Sequence, residues 1–131
     1  MTNRRFITVI SLVIMAVVAV GQPARPTGST AAFETRCGWF SNPTPANAWF
    51  FDRDGEWTIG VQGGHQADGA WPNFTTSQWV RTNGNYGYGC ACLQMRVDKQ
   101  TREVLVIKSS RVRPLAQCRR DPALKKWHRS L

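Results

Sequence analysis

Four cysteines, Cys37, Cys90, Cys92 and Cys118, are the residues whose type and spacing speak most directly to chemistry. An even number of cysteines in a short exported chain reads as a disulfide framework. A zinc site would need cysteines separated by two to four residues, usually with histidines at matching intervals. Cys90-Ala-Cys92 is too tight for that, and neither His65 nor His128 stands at a ligand spacing. A redox pair would normally place two residues between its thiols. On an extended strand Cys90 and Cys92 point to the same face, with Cα atoms about 6.6–7 Å apart, at or beyond the bridging limit. Each is therefore expected to reach outward, one to Cys37 and one to Cys118. The sequence leaves open which of the two takes which. Each closed loop contributes about 3–4 kcal/mol in the chain-entropy model.

Other groups that carry chemistry are sparser. His65 and Asp68 lie three apart in the glycine-rich stretch 62–74, with no nucleophile motif beside them. Acid–base catalysis needs a titratable group with a partner in reach, so this pair supports only a secondary reading, a small hydrolase of a cell-wall or sugar substrate. Asp52, Asp54 and Glu56 bunch around one turn. They do not follow the calcium-loop pattern, and turn formation accounts for the aspartates. No catalytic residue, metal site or cofactor is expected. The aromatics Trp71, Phe74, Trp79, Tyr86 and Tyr88 gather around two glycine-rich loops. Most should fill the core of a small sheet. Trp71, Tyr86 and Tyr88, with His65, are the candidates for ligand binding, by stacking on a sugar or holding a peptide.

The elements that must position these groups are mostly strands. Residues 48–52 and 56–61 flank Arg53-Asp54-Gly55, and Asp-Gly between aromatic-rich runs is a strong hairpin signal. Residues 77–82 form a third strand. Residues 86–97 read as the central strand, with Tyr86, Tyr88, Cys90 and Cys92 on one face and Gly87, Gly89, Ala91, Leu93, Met95 and Val97 on the other. The run Val104–Ile107 completes a second hairpin, and Pro114 ends it. Cys37–Asn47, with prolines at 43 and 45, reads as an irregular entry segment whose Trp39 and Phe40 pack on the core. Residues 62–74 read as a long loop. Asp121-Pro122 opens a short C-terminal helix, with Leu124 and Trp127 three apart and facing the sheet. The expected fold is mainly β: a small antiparallel sheet of about five strands, two hairpins plus one strand, with a short C-terminal helix and two disulfides.

The chain has 131 residues and is 42% hydrophobic, enough for one globular core. Met1–Arg5 is basic, Phe6–Val20 is almost wholly apolar, and small residues follow at Ala19-Val-Gly21. That is the pattern of a secretory signal over 1–21, since about 15 apolar residues fall short of the roughly 20 that span a bilayer. Residues 22–35 read as a flexible leader and 36–131 as a single disulfide-stapled domain. The expected location is periplasmic or secreted. Charge is lopsided: residues 90–131 hold eleven Lys/Arg against three acids, net +8, whereas 22–89 sum to −1. A basic third of this kind fits an anionic envelope component or an envelope protein as partner. Nucleic acid is not expected, and membrane contact only through the uncleaved signal.

Four segments taken in order, Cys37-Gly-Trp-Phe-Ser-Asn-Pro-Thr-Pro-Ala-Asn47, Asp52-Arg-Asp-Gly-Glu-Trp-Thr-Ile-Gly60, Asn83-Gly-Asn-Tyr-Gly-Tyr-Gly-Cys-Ala-Cys92 and Pro114-Leu-Ala-Gln-Cys-Arg-Arg-Asp121, resemble the bacterial domain of unknown function 4087. The resemblance covers roughly Cys37 to Leu124. It implies a small exported bacterial protein and carries over no activity, substrate or catalytic residue. The expected function is a non-catalytic binding or inhibitor module of the envelope.

Overall fold

A computed structural model describes residues 31–131. The expected signal 1–21 and most of the leader lie outside the described residues. Seven strands run β1 (Glu34–Thr44), β2 (Asn47–Asp52), β3 (Gly55–Gly60), β4 (Asp68–Gly69), β5 (Trp79–Asn83), β6 (Tyr86–Asp98) and β7 (Glu103–Arg113). A helix α1 (Leu115–Arg120) and a 3₁₀ segment (Pro122–Arg129) follow.

β1 pairs antiparallel with β2 and with β6, β2 with β3, and β6 with β7, while β3 touches β7 in parallel at Thr58 and Glu103. The ring of neighbours therefore closes on itself as a barrel of five strands. With β4 and β5 set aside, the order is 1-2-3-5-4-1 with the third and fifth strands parallel. This is the connectivity of the OB-type Greek-key barrel. Alternation along the strands sends Phe40, Phe50, Trp57, Ile59, Leu93, Met95 and Val104 inward, and all are buried. The opposite face of β1, β2 and β6 carries Trp39, Phe51, Tyr88 and Cys90, which pack beneath Cys118, Leu124 and Trp127 of the C-terminal segment. Asp121 caps that segment by accepting from the Ala123 N–H at 2.9 Å. The Trp127 indole lies 5.3 Å from the Phe51 ring and donates to the Asp52 carbonyl.

Both disulfides are present. Cys37 bonds Cys92, its partner across the β1–β6 ladder, and Cys90 bonds Cys118 of α1. The register decides the pairing. Cys37 is already opposite Cys92, so Cys90 is left for the helix that covers its face.

The hairpins at Asp54-Gly55 and at 99–102 are as the sequence predicts, but the sheet has seven strands rather than five. Cys37–Asn47 is not irregular: it belongs largely to β1, the strand shared by β2 and β6. Its prolines mislead because Pro43 sits where the β1–β2 register shifts, between Ser41 and Thr44, and Pro45 lies in the following turn. A bulge and a turn are the places where a missing N–H is tolerated. Residues 62–74 also carry structure. β3 and β7 diverge beyond their single bridge, and residues 65–69 fill the gap. Gln66 bridges Gly60, the Ala67 N–H donates to the Ile59 carbonyl at 2.8 Å, and Asp68 and Gly69 pair with Val106 and Ile107. β7 continues beyond the Val104–Ile107 run to Arg113, and Pro114 ends it as expected. The helix expected from Asp121-Pro122 is a 3₁₀ segment, and a separate helix, α1, precedes it; Pro122 lacks the N–H that would join the two.

Candidate functional site

The two ends of the barrel differ in chemistry. Arg36, Gly38, Phe40 and Asn42 alternate onto the inner face of β1, which places Arg36 about 13 Å along the strand from Phe40.

The Arg36 end is closed by charge. Arg36 meets Asp52 at 2.7 Å, Asp54 at 2.8 Å and Glu34 at 3.1 Å. Its guanidinium and that of Arg102 lie 4.4 and 4.0 Å from the Trp57 ring centre. Asp52 also accepts from Trp57 Nε1 and from the backbone N–H groups of Asp54 and Gly55. Burial pulls the Arg36 pKa down, but the hydrogen bonds and charges of Asp52 and Glu34 outweigh it and hold it above the ordinary arginine value. Glu34, Asp52 and Asp54 are each paired with Arg36. The arrangement is a structural plug, and it absorbs Asp52 and Asp54; Glu56 points outward and is exposed.

The Phe40 end opens into a cleft of about 650 Å³ lined by Phe40, Asn42, Trp71, Pro72, Phe74, Thr75, Thr76, Trp79, Arg81 and Asn85. That volume falls within the range of small-ligand sites. Phe40 is its floor and the top of the barrel core at once. Around it stand Trp71 at 5.7 Å between ring centres, Phe74 at 5.9 Å and Trp79 at 6.4 Å, with Phe74 and Trp79 4.9 Å apart. The loop aromatics can settle there because β6 presents glycine on this face: the Phe74 ring occupies the space that a side chain at Gly89 would need. The rim is held by short links. Trp79 Nε1 donates to the Asn85 carbonyl at 3.1 Å, Arg81 donates to the Asn85 side-chain oxygen, and Asn42 Nδ2 donates to the carbonyls of Thr44 and Asn47. Thr75 and Gln78 form a reciprocal cap on the 3₁₀ turn Thr76–Gln78. Among the described residues no carboxylate lines the cleft. Its chemistry is four aromatic faces, neutral amides and hydroxyls, and one guanidinium, which suits binding and offers no acid–base pair.

The four candidate binding residues do not converge. Trp71 stands in the cleft. Tyr88 is buried on the opposite face of β6, edge-on to Trp39 at 5.4 Å. Tyr86 shares that strand face with Tyr88 and does not line the cleft. His65 lies in the wedge between β3 and β7, where Nε2 is 2.8 Å from the Val104 carbonyl and donates to it. Phe40, Phe74 and Trp79, expected only as core residues, line the cleft as well, together with Arg81. A signal for them was present in the parity of β6. Glycines 87 and 89 share the face opposite Tyr86 and Tyr88, and a bare strand face is where neighbouring aromatics can lie.

The family model described as protein of unknown function (DUF4087) matches residues 31–125. Neither the curated proteins nor the solved structures returned a match.

Proposed function

The chain belongs to the DUF4087 family of proteins of unknown function, and from that premise we propose that it is an exported, non-catalytic binding module whose aromatic cleft takes a sugar-containing ligand. The observation that carries the reading is the set of Trp71, Phe74 and Trp79 around Phe40 at an open barrel end, rimmed by Asn42, Thr75, Thr76 and Asn85. The C–H faces of a sugar ring stack on indole and phenyl surfaces, and its hydroxyls exchange hydrogen bonds with amides and hydroxyls. Arg81 offers a place for one anionic substituent. Export is supported by the basic–apolar–small order of residues 1–21 and by two disulfides in a small domain, which form in oxidising compartments.

The test is a tryptophan-fluorescence and calorimetric titration of residues 31–131 against triacetylchitotriose and a soluble disaccharide-peptide fragment of peptidoglycan. Saturable binding is expected, weakened about tenfold by Trp71→Ala through loss of one stacked ring. If neither probe gives a saturable signal, or Trp71→Ala binds as the parent does, the reading fails.

A further inference from the structure

A second concavity lies on the far side of β6, between α1 and the 3₁₀ segment. It measures about 330 Å³ and is lined by Trp39, Cys118, Arg119, Leu124, Lys125 and His128. The floor is apolar: Trp39, Cys118 and Leu124 are all buried. The rim is basic, with Arg119, Lys125 and His128 exposed and no carboxylate among the lining residues. The placement follows from local geometry. A 3₁₀ segment repeats every three residues, so Lys125 and His128 stand one above the other while Leu124 and Trp127 turn to the sheet. The Cys90–Cys118 bond fixes α1 against the same sheet and brings Arg119 to the opposite lip. Among the described residues no ion pair engages Arg119 or Lys125, and their heads make no hydrogen bond. Four other basic heads of this third are engaged locally: Arg102 donates to the Asp54 carbonyl, Arg113 to Gln117, Arg120 to the Ala116 carbonyl and Lys126 to the Arg53 carbonyl.

We propose that this pocket is a separate site for an amphiphilic anion, a phosphate or carboxylate bearing an alkyl or aryl body, with the anion held by Arg119 and Lys125 and the apolar body resting on Trp39 and Leu124. The two halves of the site ask for the two halves of such a ligand. A bare anion meets only the rim and makes no use of the apolar floor, and a neutral alkyl chain leaves two unpaired cations beside it. The site is independent of the aromatic cleft, because the two sit on opposite faces of β1, one over Trp39 and the other over Phe40, and share no lining residue.

The experiment is an amide-resolved NMR titration of the disulfide-bonded domain with decyl phosphate below its micelle concentration, with inorganic phosphate and decanol as separate arms. Decyl phosphate should shift the amides of Cys118, Leu124 and Lys125 saturably and bind at least about tenfold more tightly than either control. The exposed double variant R119Q/K125Q should lose about tenfold in affinity while keeping the parent spectrum elsewhere, and Trp71→Ala should bind as the parent does. Equal binding of inorganic phosphate would reduce the site to a surface counter-ion effect. Equal binding of decanol would reduce it to a greasy patch. Undiminished affinity in R119Q/K125Q would overturn the proposal directly.

Discussion

The Phe74 ring lies directly over Gly89, in the space where any side chain on that residue would project. One missing Cβ thus lets a loop from outside the five-strand ring settle on β6 and build the cleft wall around Phe40. The Gln78 carbonyl crowds the same position, so relief on that side requires the backbone to move. Gly89→Ala should therefore cost about 1–3 kcal/mol by overpacking and should reposition Phe74 and Trp79. Urea denaturation gives the first quantity and ligand titration the second. A variant of parent stability and parent affinity would show that Phe74 does not depend on the bare strand.

Arg36 makes the corresponding commitment at the other barrel end. Its partner Asp52 is 2% exposed and takes the guanidinium at 2.7 Å. Replacing Arg36 with Leu leaves that carboxylate without its counter-ion, although three N–H donors remain. The expected loss is about 3 kcal/mol, near the lower end for breaking a buried pair. Arg36→Lys should recover only part of it, since an ammonium cannot both stack on Trp57 and span Asp52 and Asp54. The sign of the pH effect follows from the raised Arg36 pKa. Such a group stabilises fully below its ordinary value and loses the contribution only as pH climbs through the higher folded value. The parent-minus-Arg36→Leu difference contributed by this arginine should thus show no decline between pH 6 and 9 in denaturant titrations.

Much of this fold was legible wherever side-chain alternation and turn chemistry agreed. Asp54-Gly55 between aromatic runs announced β2 and β3, and the two faces of 86–97 were read as they stand. β1 was not legible, because its signals are hidden by function within the sheet: Gly38 admits the Phe51 carbonyl, Arg36 points inward to a charged plug, and Pro43 sits at a bulge. The cleft was half legible. Trp71 lies in a glycine-rich loop and does reach the cleft, whereas Tyr88, close to the second such loop along the chain, faces the other way. Two residues of β6 can be neighbours in sequence and lie on opposite sides of a barrel wall, and only the register against β5 and β1 shows which aromatics meet. The cysteine pairing was undetermined for the same reason: it rests on the offset between β1 and β6, which no local pattern encodes.

That offset also makes the two disulfides unequal. Cys37–Cys92 closes 55 residues and Cys90–Cys118 closes 28. Chain entropy alone assigns about 4.2 and about 3.6 kcal/mol to them. Exposure orders them differently, because Cys37 is at the surface whereas Cys90 and Cys118 are both buried. Mild reductant should therefore open Cys37–Cys92 first, although its loss costs as much stability or more. Timed alkylation with peptide mass mapping gives the order of opening, and paired Cys→Ser variants give the stabilities. Prior opening of Cys90–Cys118 would show that α1 lifts from the sheet more readily than its packing implies.

His65 provides the sharpest contrast between a binding module and a hydrolase. Its imidazole donates to the Val104 carbonyl, which lies on the β7 edge between the Thr58–Glu103 bridge and the Asp68–Val106 pair. At that point the backbone of β3 no longer reaches β7, and the side chain supplies the missing donor. His65→Ala should leave the Val104 carbonyl without this partner and weaken the 65–69 wedge, at a cost of about 1 kcal/mol for one neutral hydrogen bond. Amide exchange should accelerate at Ala67 and Ile107 and stay unchanged in the β1–β6 ladder, since the opening is local. His65→Gln keeps a side-chain N–H and should restore part of the protection. Sugar-ligand affinity at the Phe40 cleft should stay within about twofold of the parent, because His65 does not line it. A hydrolase built on His65 and Asp68 demands the reverse pattern: turnover of a cell-wall substrate by the parent, abolished in His65→Ala and not rescued by Gln. Observing that turnover would replace the structural role of His65 with a catalytic one.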